Sequence, residues 1–102
     1  MPMLTGFLES QTAAIVCEYR QIVERLELEG YLSMPFGEKI GRENLFAIRV
    51  IHAGNVRVFY AYGKDDWVYG LCGYEKKTQK IPQHELRFAR KLLRALVKAG
   101  GI

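Results

Sequence analysis

The sequence predicts an α+β fold with an N-terminal helix or helical hairpin, an antiparallel β-meander of three or more strands, and a C-terminal helix packed on the sheet. Two patterns carry this prediction. Apolar residues recur at helical spacing near both ends of the chain, and residues 45–74 hold three β-rich runs separated by Gly, Asn and Asp turns. At 102 residues the chain has the length of one domain, spanning residues 1–102.

The first helical segment is predicted over residues 7–28. Its apolar stripe follows a period of 3.6 residues and consists of Ile15, Tyr19, Ile22, Val23 and Leu26. Gly30 suits the C-terminal stop, and Thr5 or Ser10 suits the N-terminal cap. A break near residues 11–12 would divide the segment into two short helices. Residues 31–44 contain Pro and Gly and are predicted to form a loop.

The meander is predicted to consist of strands at residues 45–51, 56–62 and 67–74. Alternation places Arg49 and Arg57 on one sheet face, and it places Cys72 and Tyr74 together with Val68 and Gly70. One face must meet the helices, so we expect the arginine face to be open to an anion. Arginines beside aromatic rings suit the phosphates and bases of single-stranded RNA, although cross-strand packing is expected for most of the tyrosines.

The last helix is predicted from Pro82 to about Ala99. Its buried stripe comprises Leu86, Ala89, Leu93, Leu96 and Val97, and a basic stripe comprises Arg87, Lys91, Arg94 and Lys98. Residues 75–102 carry eight Lys or Arg and two Glu, a balance of +6, whereas residues 1–44 carry four and seven, a balance of −3. Such separation favours a polyanion or an acidic partner, and the simpler alternative is that the cations keep a surface helix soluble.

Several function classes lack their motifs. The chain has no phosphate-binding P-loop, no dinucleotide fingerprint and no HExxH, and it has no run of membrane-spanning length, so we predict a cytoplasmic protein without cofactor or metal. His52 and His84 are expected at the surface, and Cys17 and Cys72 are expected to be buried free thiols.

Metal-independent cleavage of a phosphodiester remains open to this chain. That reaction needs positive charge at the phosphate and a proton carrier near the 2′-OH. Candidates for the charge are Arg49, Arg57, Lys76, Lys77 and Lys80. A lysine whose pKa is lowered by crowding of other cations would carry the proton.

Three runs resemble the RelE/ParE superfamily of toxins and, within it, the HigB-like, phage-associated branch. They are residues 45–50, 54–62 and 73–82, and they correspond in order to the L-x-E-L-R, G-N-x-R-x-x-Y and G-F-x-K-K-T-Q-K-T-P segments of that branch. The likeness extends from about Phe7 to Val97. It departs from the pattern at Ala47, Tyr74 and Ile81, and only residues 1–6 precede the first helix where family members usually have another strand.

The resemblance implies a RelE-like fold and the toxin of a type II toxin–antitoxin pair, which cuts mRNA on the ribosome and is neutralised by a cognate antitoxin, expected to be a helix-turn-helix protein. Positions carried over as catalytic are Arg57, Lys76, Lys77 and Lys80. Those carried over as RNA-binding are Arg49, Arg57, Lys76, Lys77 and Lys80. Arg87, from the basic stripe of the last helix, is predicted to bind RNA with them. The alternative is a non-catalytic module of the same fold that binds RNA or protein. No membrane partner is expected, and a homodimer is left open.

Overall fold

The computed structural model describes residues 5–102 and has an α+β architecture, which confirms the predicted fold class. The chain forms α1 (Thr5–Glu9), α2 (Ala13–Glu29), β1 (Gly37–Lys39), β2 (Phe46–Val50), β3 (Val56–Tyr62), β4 (Val68–Glu75) and α3 (Gln83–Lys98). The four strands form one antiparallel sheet in the order β1-β2-β3-β4. No helix among residues 5–102 is long and apolar enough to cross a membrane.

The N-terminal helices form the predicted broken segment. The break falls where it was expected, but the cap of α2 is Thr12, whose side chain accepts a hydrogen bond from the Ile15 N–H at 3.2 Å. The expectation of Thr5 or Ser10 as the cap is therefore wrong for α2. Gly30 ends α2 in the left-handed conformation, with φ of 80°, as its residue type predicts. Residues 1–4, where an additional strand was considered, lie outside the described residues.

Strand β1 corrects the prediction of a continuous loop over residues 31–44. Gly37 pairs with Ile48 and Lys39 with Phe46, so β1 forms the edge of the sheet beside β2. Three residues are too few to show an alternating pattern in the sequence. The strand forms because β2 offers it backbone donors and acceptors.

Helices cover both faces of the sheet. On one face, Tyr19, Ile22 and Leu26 of α2 pack on a layer that includes Ile48, Val50, Val56, Val58 and Tyr60. On the other face, Ala89 and Leu93 of α3 pack on Ala47, Phe59, Ala61 and Leu71. The second face is the one that carries Arg49 and Arg57, so the expectation that it is open is wrong over most of its area. The prediction failed because amphipathic helices at both ends of the chain each require an apolar surface.

An irregularity in strand pairing changes the faces of β4. Phe59 pairs with Cys72 but Tyr60 pairs with Gly70, so Leu71 is an extra residue on the β4 side. Directly opposite residues share a face, and the shift therefore moves Cys72 and Tyr74 onto the arginine face. Uniform alternation had placed these two residues with Val68 and Gly70, and that expectation is wrong.

Candidate functional site

Two arginines face each other across neighbouring strands. Arg49 of β2 and Arg57 of β3 are register partners, and Tyr74 of β4 is the partner of Arg57 on its other side. The three residues therefore form a row across the sheet face that α3 packs on. Phe59, two residues beyond Arg57 in the same strand, belongs to the core layer under α3.

The guanidinium groups are held by only a few protein atoms. Arg57 is 4% exposed, and its Nη1 donates to Oδ1 of Asn55 and to the carbonyl of Val56, both at 3.1 Å. Nη1 of Arg49 donates to the carbonyl of Pro35 at 3.1 Å. The Nε atoms of both arginines are buried and have no protein partner among residues 5–102. Each side chain therefore keeps an unused hydrogen-bond donor.

The arginine pair is electrostatically strained. Burial lowers the pKa of Arg57, and the positive charge of Arg49 lowers it further, whereas Tyr74 and Glu38 act in the opposite direction. Both guanidinium groups nevertheless stay charged at neutral pH. Among residues 7–65 and 67–102, whose side chains the structure describes, no carboxylate lies at ion-pair distance from either one. Like charges directly opposite on neighbouring strands are destabilising, and an anion with the planar geometry of a phosphate edge would relieve the repulsion.

Tyr74 is neutral at physiological pH. Burial raises the pKa of its phenol, Arg57 opposes that rise, and Glu38 and Glu85 add to it. The hydroxyl can therefore donate a hydrogen bond. The ring stacks on Phe59 with centroids 5.7 Å apart, and both residues are buried. Neither ring is therefore available to a base, and the cross-strand aromatic packing expected for most of the tyrosines is confirmed for Tyr74.

Asn55 joins the arginine pair to the lysine segment. Its Oδ1 accepts from Arg57, and its Nδ2 donates to the carbonyl of Lys76 at 3.0 Å. The Lys76 N–H donates in turn to the Asn55 carbonyl at 2.7 Å. Lys76 is half-buried, whereas Lys77 and Lys80 are exposed in the segment between β4 and α3. Asn55 thus holds the start of that segment against the start of β3.

The turn that precedes Asn55 is held by a carboxylate on α2. Glu18 accepts hydrogen bonds from the backbone N–H groups of Ile51 at 2.9 Å, His52 at 3.1 Å and Ala53 at 2.6 Å. Burial alone would raise the pKa of Glu18, but these three donors outweigh it and the pKa is lowered. The β2–β3 hairpin is therefore tied to α2 at the end of the sheet where the arginines lie.

The six sequence-predicted site residues fall into three groups. Arg49 and Arg57 lie side by side, Lys76 adjoins them through Asn55, and Lys77, Lys80 and Arg87 are exposed. His84 is exposed as predicted, with Nε2 at 3.2 Å from the Glu85 carboxylate. Of the cysteines, Cys72 is buried as predicted, but Cys17 is exposed, so the expectation of burial is wrong there.

Sequence reasoning gave no site role to Asn55, Tyr74 or Glu38. Asn55 stood out as a turn residue and as the Asn of the G-N-x-R-x-x-Y segment, and Tyr74 stood out as a departure from a family pattern. A signal for Asn55 was its place two residues before Arg57, within the hydrogen-bonding reach of one side chain. Glu38 carried no signal, because β1 was predicted to be a loop.

A protein-family comparison matches residues 7–94 to the model for phage-derived Gp49-like proteins (DUF891). The chain belongs to this family. Gp49-like proteins are a RelE-like toxin family, so the likeness to RelE-type toxins is confirmed at that level. No curated protein matches the chain. Within the Gp49-like match lie all six predicted site residues and the residues that hold them.

Proposed function

We propose that this Gp49-like protein is the HigB-like toxin of a type II toxin–antitoxin pair, an endoribonuclease that cuts mRNA on the ribosome and so inhibits translation in the cytoplasm. The observation that carries the proposal is the pair of opposed arginines, Arg57 buried and Arg49 half-buried, that have no ion pair with any carboxylate whose side chain the structure describes. A fold gains nothing from two facing positive charges, so the pair is better explained by an anionic ligand. The chain belongs to a family of RelE-like toxins, and the anion that we propose for the pair is an RNA phosphate.

The proposed chemistry needs no metal ion. The 2′-OH of the substrate loses its proton and attacks the neighbouring phosphorus, and the 5′-oxygen leaves with a proton. Negative charge grows on the non-bridging phosphate oxygens during attack, and Arg49 and Arg57 would stabilise it. Their Nη groups would make the phosphate contact, because the Nε atoms, which have no protein partner, are buried.

The lysines would complete the site from the segment after β4. Lys76 is placed by its backbone contacts with Asn55, and Lys77 and Lys80 are exposed and free to reach a bound strand. We assign removal of the 2′-OH proton, and its delivery to the leaving 5′-oxygen, to a lysine of this group. The other lysines of the group would contact the phosphate, with Arg87 as a further phosphate contact. Tyr74 presents a neutral hydroxyl next to Arg57 and would serve as a donor to the leaving oxygen.

The proposed partners are the ribosome, mRNA and a helix-turn-helix antitoxin. The antitoxin would cover the cationic surface formed by Arg49, Arg57 and residues 76–80, through an acidic or apolar segment or through a strand added at a sheet edge. The available edges are β1, with three residues, and β4. Hydrogen exchange with and without the antitoxin tests this directly. Protection confined to the outer face of α2, with residues 49, 57 and 76–80 unchanged, would exclude direct coverage.

Induced expression in a bacterial host tests the enzymatic function. The wild-type chain is expected to arrest growth and to produce new 5′ ends in mRNA, and Arg57→Ala is expected to abolish both while it stays folded. Arg20→Ala is the matched control, because Arg20 is an exposed arginine on α2. Growth arrest by a well-expressed Arg57→Ala variant would remove Arg57 from the site.

RNA binding without cleavage would favour the alternative function, a non-catalytic RNA-binding module. The burial of Arg57 under the α3 layer is the observation that makes this alternative worth testing. Both functions predict affinity for RNA that weakens steeply with salt, since phosphate contacts release counterions. A flat salt response would instead favour a protein as the ligand.

A further inference from the structure

The outer side of α3 carries a row of cations, of which the proposed active site uses only Arg87. The α3 stripe is defined here as Arg87, Lys91, Arg94 and Lys98, all of which are exposed. These positions are three or four residues apart and therefore follow one side of the helix for about 16 Å. Ala89, which packs on the sheet, lies on the opposite side of the helix axis from Lys98. The stripe thus faces away from the sheet.

The stability of the helix does not explain the stripe. α3 contains five Lys or Arg and a single Glu, and that Glu85 contacts His84. The stripe includes two like-charged pairs at i, i+4, Arg87 with Lys91 and Arg94 with Lys98, and such pairs destabilise a helix. The helix dipole favours cations only in the last turn, which holds Lys98.

Neighbouring elements do not neutralise the stripe either. Among residues 7–65 and 67–102, whose side chains the structure describes, no carboxylate lies at ion-pair distance from any of its four side chains. Glu43, in the loop between β1 and β2, pairs at 2.6 Å with Arg90 of α3, which is outside the stripe. Ordinary protein surfaces intersperse both signs of charge, so a row of four unpaired cations points to an external polyanion.

We propose that the α3 stripe binds the phosphate backbone of a double-helical RNA, as a second RNA contact separate from the strand that enters the arginine site. This inference rests on the proposed function, because it assumes that the enzyme works on RNA held within a larger RNA structure. The four side chains offer positive charge but no amide or carboxylate for reading bases, so the contact is independent of sequence. Phe88 lies beside the stripe, and one ring is not the stacking platform that single strands require.

The test compares two triple variants that lose the same charge. The stripe variant is Lys91→Gln, Arg94→Gln and Lys98→Gln, and the control variant is Arg20→Gln, Arg25→Gln and Lys64→Gln, whose residues are exposed on other elements. Each variant lowers the net charge from +4 to +1. The affinity for a short RNA duplex and for a single strand of equal length is measured by fluorescence anisotropy over a range of salt concentrations.

The expected result is a change in the salt dependence of duplex binding for the stripe variant alone. Loss of three phosphate contacts should reduce the slope of log K against log salt by about 2 to 3. The control variant should keep the wild-type slope. Single-strand binding is expected to change less, because that strand enters the arginine site. Equal slopes for the two variants, or no duplex binding by the wild-type chain, would refute the proposal that the α3 stripe binds double-helical RNA.

Failure of the proposal about the α3 stripe can be distinguished from failure of the proposed function. If the wild-type chain cleaves mRNA in a translating extract but the slopes are equal, only the α3 stripe is refuted. If duplex binding depends on the stripe but no cleavage occurs, the stripe stands and the enzymatic proposal fails. If the stripe variant loses binding to the antitoxin while its RNA slope is unchanged, the ligand is an acidic protein, and the RNA assignment is overturned.

Discussion

The substitution Arg57→Met tests whether the arginine pair contributes to RNA binding or to the stability of the fold. Met keeps the unbranched stem that packs in the sheet and removes the charge. Two consequences of the change stabilise the folded protein. Removal of the buried Nε that has no partner contributes about 1–3 kcal/mol, and removal of the repulsion from Arg49 contributes about 0.2–1 kcal/mol. The change also eliminates the two Nη1 hydrogen bonds to Asn55 and Val56, which together contribute about 1–3 kcal/mol.

These contributions nearly cancel, so the free energy of unfolding should stay within about 1 kcal/mol of wild type. Urea unfolding followed by far-UV circular dichroism measures it, and an unchanged m-value shows that the compactness of the two states is unchanged. RNA binding should weaken by about tenfold to a hundredfold, because a charge-assisted contact of about 1.5–3 kcal/mol is lost. Inorganic phosphate should stabilise the wild type more than the variant, since only the wild type retains the complete anion site.

The matched control for this substitution is Arg20→Met on the exposed face of α2, which should alter neither stability nor RNA affinity by comparable amounts. The reasoning is refuted if Arg57→Met lowers the free energy of unfolding by about 3 kcal/mol or more, the loss typical of breaking a buried charge pair. Arg57 would then be a structural residue. Unchanged RNA affinity in a folded variant would refute the binding role separately.

Three further predictions concern neighbouring features of the fold. Glu18→Gln should lower the free energy of unfolding by about 1–2 kcal/mol relative to Glu24→Gln on the same helix, because three backbone donors lose a charged acceptor. Since the folded pKa of Glu18 is lowered from 4.5, this difference should be complete above pH 4.5 and should shrink as the pH falls through the lowered value; a constant difference down to pH 2 would contradict it. Asn55→Ala should reduce mRNA cleavage while it costs about 1 kcal/mol of stability per lost hydrogen bond, whereas cleavage at the wild-type rate would show that Asn55 does not position the site. Burial raises the pKa of the Cys72 thiol to about 12, so at pH 8 a thiol reagent should label Cys17 alone in the native protein and both cysteines after unfolding.

Much of the fold could be predicted from local patterns. The stripe from Ile15 to Leu26 and the stripe from Leu86 to Val97 predict α2 and α3, because an amphipathic helix has a period that no strand shares. Strand β3 has the predicted bounds of Val56 and Tyr62, since β-branched and aromatic residues fill it and turn residues flank it. The family likeness was also readable, because three motifs occur in order along the chain.

The local composition of the candidate site was likewise visible. Arg49 and Arg57 are charged residues inside apolar strands, and a charge within a strand is unusual enough to attract notice in the sequence alone. Their direct pairing follows once a tight turn joins β2 to β3, because an antiparallel hairpin brings residues at equal distance from the turn together. The sequence therefore placed both arginines on one face of the sheet, but it did not predict a site role for the residues that hold them.

Only the tertiary structure decided which surfaces stay accessible. Residues 37–39 became a strand through pairing with β2, and the irregularity between Phe59 and Tyr60 moved Tyr74 to the side of Arg57. Packing of α3 on the arginine face buried Arg57 and turned the basic stripe of that helix outward. Helical and strand periods are properties of neighbouring residues, whereas pairing partners, bulges and the choice of face depend on contacts between residues far apart in the chain.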